Sequence, residues 1–203
     1  MQNKNIELLS PAGNFECGIA GFSYGADAIY LGLKNFSARA DAMNFSNEEL
    51  YAITNYAHQH NKKVYVAINT VIQNNEIPEL LEKLALVKDA KVDALIIQDF
   101  GVVDLIKQYF PELEMHASTQ MAVHNLDGAI ALKNLGFSRC VLARELSLNE
   151  IENITKNCGI ETEVFIHGAL CYSYSGLCMY SSFVKGESAN RGKCTYPCRK
   201  LYD

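Results

Sequence analysis

The feature that most constrains the fold of this 203-residue chain is a regular alternation of short apolar runs with longer amphipathic stretches. Seven runs have the composition of β-strands, namely Ile6–Ser10, Ala28–Gly32, Lys63–Asn69, Ala94–Gln98, Met115–Thr119, Cys140–Arg144 and Glu163–Gly168. Helical patterns lie between them at Asn14–Tyr24, Ser46–Asn61, Pro78–Lys88, Phe100–Tyr109, Asn125–Leu135 and Leu148–Asn157. Strands that alternate with helices predict right-handed βαβ units and one parallel sheet.

The ends of the predicted strands favour a barrel over an open, doubly wound sheet. Polar residues follow the apolar strand centres, among them Asn69, Gln98, Ser118, Arg144 and His167. In a parallel β/α barrel the carboxyl ends of all strands meet at one mouth, where such residues converge. No Gly-x-Gly-x-x-Gly follows the first strand, which weakens a dinucleotide-binding fold. We therefore predict an α/β fold of the TIM-barrel type, incomplete because a closed barrel has eight strands and about 250 residues.

Four of the seven cysteines cluster near the end of the sequence, at Cys171, Cys178, Cys194 and Cys198, with six, fifteen and three residues between them. Thiolates are soft ligands that suit zinc and iron–sulfur clusters, and four suffice for one site. Zinc ribbons pair their cysteines at about two to four residues, so the first gap fits zinc poorly. From spacing alone an iron–sulfur cluster, zinc and free thiols all stay open. We predict a barrel over residues 1–168 and, continuing the same domain, an irregular cysteine segment over residues 169–203.

The remaining cysteines and the N-terminus indicate a reducing compartment. Cys17 falls in a predicted helix, Cys140 in a strand and Cys158 after a helix, where we expect all three to pack as small apolar side chains. An odd cysteine count without an export signal argues against a disulfide framework. No apolar run approaches about 18 residues, so we expect a cytoplasmic protein that does not span a membrane.

The charge of the chain is unevenly distributed. The whole sequence carries −5, whereas the part from Cys171 onward carries +3 and leaves −8 on the first 170 residues. The positive charge comes from five residues, which we call the basic strip: Lys185, Arg191, Lys193, Arg199 and Lys200. Such a strip could contact the phosphates of a nucleic acid, and the alternative is the solvated face of an ordinary loop.

Three further residues are candidates for the chemistry. Arg39 follows the second predicted strand and Arg144 ends the sixth, so both could present a guanidinium fork to a carboxylate or phosphate. A lone arginine is more often a structural ion-pair partner. His167 lies four residues before Cys171, which suggests a thiol–imidazole pair, although a cysteine that binds a cluster is not free to attack a substrate.

The sequence does not support the motifs of two common classes of hydrolase. The segment Gly21-Phe22-Ser23-Tyr24-Gly25 satisfies Gly-x-Ser-x-Gly, but a helix precedes this serine where a nucleophile elbow requires a strand. The sequence contains no His-Glu-x-x-His, the commonest signature of zinc proteases.

The string EVFIHGALCYSYSGLCMYSS resembles the signature of peptidase family U-32. The matching residues are Glu163, Phe165, Gly168, Ala169, Leu170, Cys171, Gly176, Cys178 and Ser181. The resemblance continues upstream through ELLSPAG, AIYLGLKNFSARADAMNFS, IIQDFGV, MHASTQM and VLARELS, and so covers essentially the whole chain. It corresponds to the N-terminal barrel part of the family, whose members are usually longer.

The resemblance implies an enzyme that hydroxylates an RNA base in a prephenate-dependent way. The base is the wobble uridine of transfer RNA, converted to 5-hydroxyuridine, or a cytidine of ribosomal RNA. It also implies a 4Fe-4S cluster on Cys171, Cys178, Cys194 and Cys198, which aerobic purification is expected to empty or to fill with zinc. Some members end in Cys-x-x-x-Cys and others recruit a later cysteine, so the fourth ligand stays open. Prephenate is a dicarboxylate, which suits Arg39 and Arg144 at the mouth.

The same resemblance leaves two alternatives. The family name records a collagenase-like peptidase activity, and two relatives assist quinone-precursor hydroxylation with cysteine-bound clusters. RNA and a small carboxylate donor are therefore the expected partners of this chain, and a protein partner would fit a non-catalytic role in an assembly.

Overall fold

The computed structural model describes residues 6–38, 44–168, 171–175 and 178–201, and it confirms the predicted alternation. The strands are β1 (Leu9–Ala12), β2 (Ala28–Gly32), β3 (Lys63–Ile68), β4 (Ala94–Ile97), β5 (Met115–Ala117), β6 (Arg139–Val141) and β7 (Glu161–Glu163). The helices are α1 (Phe15–Ser23), α2 (Asn47–Gln59), α3 (Ile77–Asp89), α4 (Phe100–Tyr109), α5 (Leu126–Asn134), α6 (Leu148–Asn157) and α7 (Tyr180–Lys185). The sheet order is β1 to β7, and every neighbouring pair is parallel.

Helix starts follow capping chemistry that is visible in the sequence. Ser46 and Ser147 form capping boxes with Glu49 and Glu150, so side chains pair with backbone N–H groups that the first turn leaves unsatisfied. Asp99 caps α4 by accepting hydrogen bonds from the first amides of that helix. These caps fix where the connections after the strands end and the helices begin.

The first and last strands lie elsewhere than predicted. The strand expected at Ile6–Ser10 is Leu9–Ala12, because Leu9 pairs with Ala28 while Ile6 is exposed. The strand expected from Glu163 is Glu161–Glu163, where a charged segment pairs with β6 through register and ion pairing rather than through apolar content. The apolar residues after it are exposed.

The cysteine segment is also more regular than predicted. It contains the helix α7 and two short 3-10 turns, Ala189–Arg191 and Pro197–Arg199. Gly186 ends α7 with a positive φ of 68°, a conformation that glycine adopts without steric cost.

Strand residues alternate between two environments. Outward residues such as Val64, Val66 and Leu95 are fully buried and pack in the layer between sheet and helices. Inward residues on the central strands form a second cluster that includes Ala28, Tyr65, Ala67, Ala94 and Ile96. The small side chains of this inner cluster allow the sheet to curve around its axis.

A partly buried ion-pair network shows that the sheet is curved. Glu7 precedes β1 and Arg139 lies in β6, yet the Arg139 Nη1 donates to Glu7 Oε1 at 2.7 Å. In a flat sheet these strands would be about 24 Å apart, at about 4.8 Å per strand, which the two side chains cannot span. Arg139 also pairs with Glu161 at 2.6 Å and lies over the Tyr65 ring, 5.1 Å from its centroid. The seven strands therefore form an incomplete parallel barrel, as predicted.

The network shifts the pKa values of its members. Burial alone would raise the pKa of Glu7, but hydrogen bonds from Arg139, Lys63 and Tyr65 lower it to about 2. Burial, followed by the nearby Arg139 charge, lowers the pKa of His116 to about 4, so this ring is neutral at pH 7. The inside of the barrel therefore carries a network of paired charges at the amino ends of the strands, at the opposite end from the mouth.

No helix within the described residues is long and apolar enough to cross a bilayer.

Candidate functional site

The candidate site lies where the strands end, at the mouth of the barrel. Gln98 follows β4 in the inward register of Ala94 and Ile96, and its Oε1 atom is buried without a hydrogen-bond partner among the described residues. Ser118 follows β5 and is buried, with its Oγ accepting from the Gln120 amide at 3.2 Å. Because a buried acceptor is costly to leave unpaired, Gln98 is suited to receive a donor from a ligand.

Arg144 follows β6 and holds the start of the cysteine segment. Its Nη1 donates to the Cys171 carbonyl at 2.5 Å, and its Nη2 donates to the Ser173 carbonyl at 2.8 Å. Both arms of the guanidinium fork are therefore engaged by backbone oxygens. In the structure Arg144 therefore fixes the backbone at Cys171 and Ser173.

Glu145 holds the same stretch through Ser175. Its carboxylate accepts from the Ser175 amide at 2.9 Å and from the Ser175 hydroxyl at 3.0 Å, and the His124 Nε2 lies 3.2 Å from it. The His124 ring stacks on Tyr174, with centroids 4.7 Å apart and planes 10° apart. Burial would raise the pKa of Glu145, but the bonds from Ser175 lower it, so the carboxylate is ionised at neutral pH.

Ser175, His124 and Glu145 do not form a hydrolase triad. A triad places the imidazole between hydroxyl and carboxylate, so that it can take the hydroxyl proton. Here Glu145 lies in the middle, and Ser175 is only 1% exposed. Ser23, the serine of the rejected Gly-x-Ser-x-Gly match, ends α1 and donates to the Ile19 carbonyl at 2.9 Å.

Arg191 fastens the later half of the cysteine segment to the loop after β3. It pairs with both carboxylate oxygens of Glu76, at 2.6 and 3.1 Å, and donates to the Val71 carbonyl at 3.1 Å. The Val71 amide in turn donates to the Asn190 carbonyl at 3.2 Å. A polar cleft of about 330 Å³ lies beside this contact, lined by residues that include Thr70, Glu79 and Lys193.

The four clustered cysteines lie on the segment that these contacts hold. Cys171 and Cys198 are exposed, while Cys178 and Cys194 are half-buried. Ser181, in α7, points its hydroxyl at the Cys194 sulfur from 3.9 Å. Within the described residues no three His, Cys, Asp or Glu side chains converge as a metal site would require. The donor type suits an iron–sulfur cluster, but the segment as folded here does not present a ready-made site.

The other predicted site residues fall in different places. His167 is exposed and lies four residues beyond the end of β7. Arg39 lies outside the described residues. In the basic strip Arg191 is paired with Glu76, and Arg199 lies over the Tyr172 ring at 5.7 Å from its centroid. The lysines of the strip, Lys185, Lys193 and Lys200, are exposed.

The packing expectation for the other cysteines is confirmed for two of the three. Cys140 and Cys158 are buried in the core, and burial raises the pKa of Cys140 to about 12. The expectation is wrong for Cys17, which is exposed because α1 turns Gly18 and Phe22, rather than Cys17, toward the core.

Sequence reasoning missed three residues of the mouth. Glu145 could have been found from the sequence, since it adjoins Arg144 at the end of a predicted strand. Glu76 and His124 lie in connections without periodicity or motif, and only the fold brings them to the cysteine segment.

Comparison with known proteins identifies relatives over nearly the whole chain. The model of peptidase family U32 matches residues 13–203. The tRNA hydroxylation protein P of Haemophilus influenzae is 39% identical over 197 residues, which are 97% of this chain and 43% of that protein. The 23S rRNA 5-hydroxycytidine C2501 synthase of Escherichia coli is 38% identical over 202 residues, which are 100% of this chain and 30% of that protein. The chain thus spans less than half the length of either relative.

A solved structure agrees with the fold. A U32 peptidase superimposes with a TM-score of 0.65 at 15% sequence identity, over 81% of this chain and 70% of that chain. At this identity the likeness concerns the barrel architecture alone.

Proposed function

The chain belongs to peptidase family U32, and from this premise we propose that it is the barrel part of an enzyme that hydroxylates an RNA base. The observation that carries the proposal is the similarity, over 97% of the chain or more, to proteins named for hydroxylation of tRNA and of 23S rRNA. The expected product is 5-hydroxyuridine at the wobble position of a transfer RNA or 5-hydroxycytidine in ribosomal RNA.

The distribution of charge supports an RNA substrate. The cysteine segment carries exposed lysines, Lys185, Lys193 and Lys200, in a chain whose net charge is −5. A local positive surface on an acidic protein directs a polyanion to that surface, and phosphate contacts of this kind position a nucleic acid without reading its sequence. The base would then enter the mouth beneath the segment, where the Gln98 carbonyl is available to a base N–H group.

The oxygen donor is proposed to be a small carboxylate such as prephenate. Both arms of the Arg144 guanidinium already bind backbone carbonyls. We therefore propose Arg39 as the first candidate to bind the carboxylate of the donor. A guanidinium fork binds a carboxylate with two parallel hydrogen bonds, which fixes the orientation of the donor.

An iron–sulfur cluster on Cys171, Cys178, Cys194 and Cys198 remains part of the proposal. Its support is the type and number of ligands on a segment that is held at the mouth. Because the described thiols do not converge, we derive no reaction step through the cluster and expect the segment to rearrange when it binds one.

The decisive experiment is nucleoside mass spectrometry of tRNA and rRNA from cells that lack the gene. We expect the loss of one 5-hydroxypyrimidine nucleoside and its return when the wild-type gene is restored. A quinone-precursor role would leave the nucleosides intact and change the quinone pool. Intact nucleosides together with gelatin cleavage by the pure protein, lost on a single substitution, would favour the peptidase activity instead.

A further inference from the structure

We propose that Arg144 and Arg191 are positioning residues that fasten the two halves of the cysteine segment to two separate places on the rim of the barrel mouth. The proposal rests on the proposed function for its catalytic consequence, but the anchoring itself stands on contacts among the described residues.

The two anchors hold different halves of the cysteine set. Arg144 binds the carbonyl of Cys171 itself, which is the first clustered cysteine. Arg191 lies three residues before Cys194, the third clustered cysteine, and binds Glu76 and Val71. Each half of the set therefore has one arginine that ties its backbone to the barrel.

The anchors attach at separate places on the rim. Arg144 follows β6, whereas Val71 and Glu76 follow β3, and two strands lie between β3 and β6 in the sheet. Each anchor therefore fixes its own part of the cysteine segment to a different strand end of the rim.

Both anchors use strong contacts. The Arg191–Glu76 pair is bidentate and partly buried, with side-chain exposures of 30% and 25%. Hydrogen bonding to Arg191 lowers the pKa of Glu76, so the pair stays ionised into mild acid. The Arg144 side chain is 16% exposed and supported by Glu145, whose carboxylate binds Ser175.

Each anchor has its own backbone reporter. The Val71 amide donates to the Asn190 carbonyl beside Arg191, and the Ser175 amide donates to Glu145 beside Arg144. Release of one anchor should expose its reporter amide to solvent and leave the other protected. Amide hydrogen exchange, resolved by residue, therefore reads the two anchors independently.

The test compares four variants of the purified protein. We expect Arg191→Ala to speed exchange at Val71 about tenfold, equivalent to about 1.4 kcal/mol, with Ser175 unchanged, and Arg144→Ala to do the reverse. The double exchange Glu76→Arg with Arg191→Glu should restore protection at Val71. Lys156→Ala, which breaks an exposed ion pair with Glu152 on α6, is the matched control and should move neither amide.

Two results would overturn the proposal. Equal exchange at Val71 in wild type and Arg191→Ala would remove the second anchor. Full hydroxylation in cells whose only copy carries Arg191→Ala, despite faster exchange at Val71, would remove the positioning role. Failure of the proposed function would be recognised separately, because cells that lack the gene would then keep every hydroxylated nucleoside while the exchange pattern of the purified variants held.

Discussion

Replacement of His116 by Gln should make the loss of stability between pH 7 and pH 5 smaller by about 2 kcal/mol. The His116 side chain is 1% exposed, stacks edge-on against Tyr65 at 4.7 Å, and has its Nδ1 atom buried without a partner among the described residues. The charged groups that face it are Glu114, Arg139 and Glu161. Burial and the Arg139 charge make protonation in the folded state unfavourable, so the unfolded chain takes up the proton first.

The magnitude follows from the two pKa values. The pKa is about 4 in the folded protein, against about 6.5 for an unperturbed histidine. A group whose pKa is lowered in this way destabilises the fold as the pH falls below the unfolded value. The free energy of unfolding should drop by about 2 kcal/mol from pH 7 to pH 5, and by about 3 kcal/mol by pH 4. Glu7 contributes little in this window, because its stabilisation is present above about pH 4.5 and is lost only as the pH falls toward 2.

The assay is urea unfolding at pH 7 and pH 5 for wild type and His116→Gln. The variant will be less or more stable at pH 7 according to how well Gln packs, so the informative quantity is the change with pH. Between pH 7 and pH 5 we expect the free energy of unfolding to fall by about 2 kcal/mol more in the wild type than in the variant. Equal losses in the two proteins would show that His116 does not titrate with a lowered pKa.

Three further outcomes follow from the contacts described above. After anaerobic reconstitution, Cys171→Ala should lack the brown colour and acid-labile sulfide that Cys17→Ala retains, and equal retention would refute the ligand assignment. Arg139→Met should lower the free energy of unfolding by about 3 kcal/mol, since it leaves the largely buried carboxylates of Glu7 and Glu163 without their cation, and a loss below about 1 kcal/mol in urea unfolding would contradict that role. Lys193→Ala combined with Lys200→Ala should weaken RNA binding and flatten its dependence on the logarithm of salt concentration by about 1.4, whereas an unchanged slope in fluorescence anisotropy would exclude phosphate contacts.

The sequence allowed the architecture to be predicted because the strand–helix alternation is a local signal that packing reinforces. α4 and α6 begin and end at the residues that the helical pattern predicted. β7 was misplaced because its residues, Glu161 to Glu163, carry no apolar signal and owe their position to Arg139 of the neighbouring strand. A strand that is held by long-range ion pairing has no alternation of apolar and polar residues from which it could be predicted.

The mouth arginines show where prediction of a site reaches its limit. An arginine at the end of a strand can be found from the sequence, but its hydrogen-bond partner cannot. Every residue has a backbone carbonyl, and the sequence does not show which of these carbonyls the guanidinium binds. Arg144 and Arg191 were both read as cations available to an anion, and both donate instead to backbone oxygens, the second also to Glu76. We therefore expect the exposed lysines of the strip to contact the phosphates of RNA, and we would test Arg39 first as the ligand of the donor carboxylate.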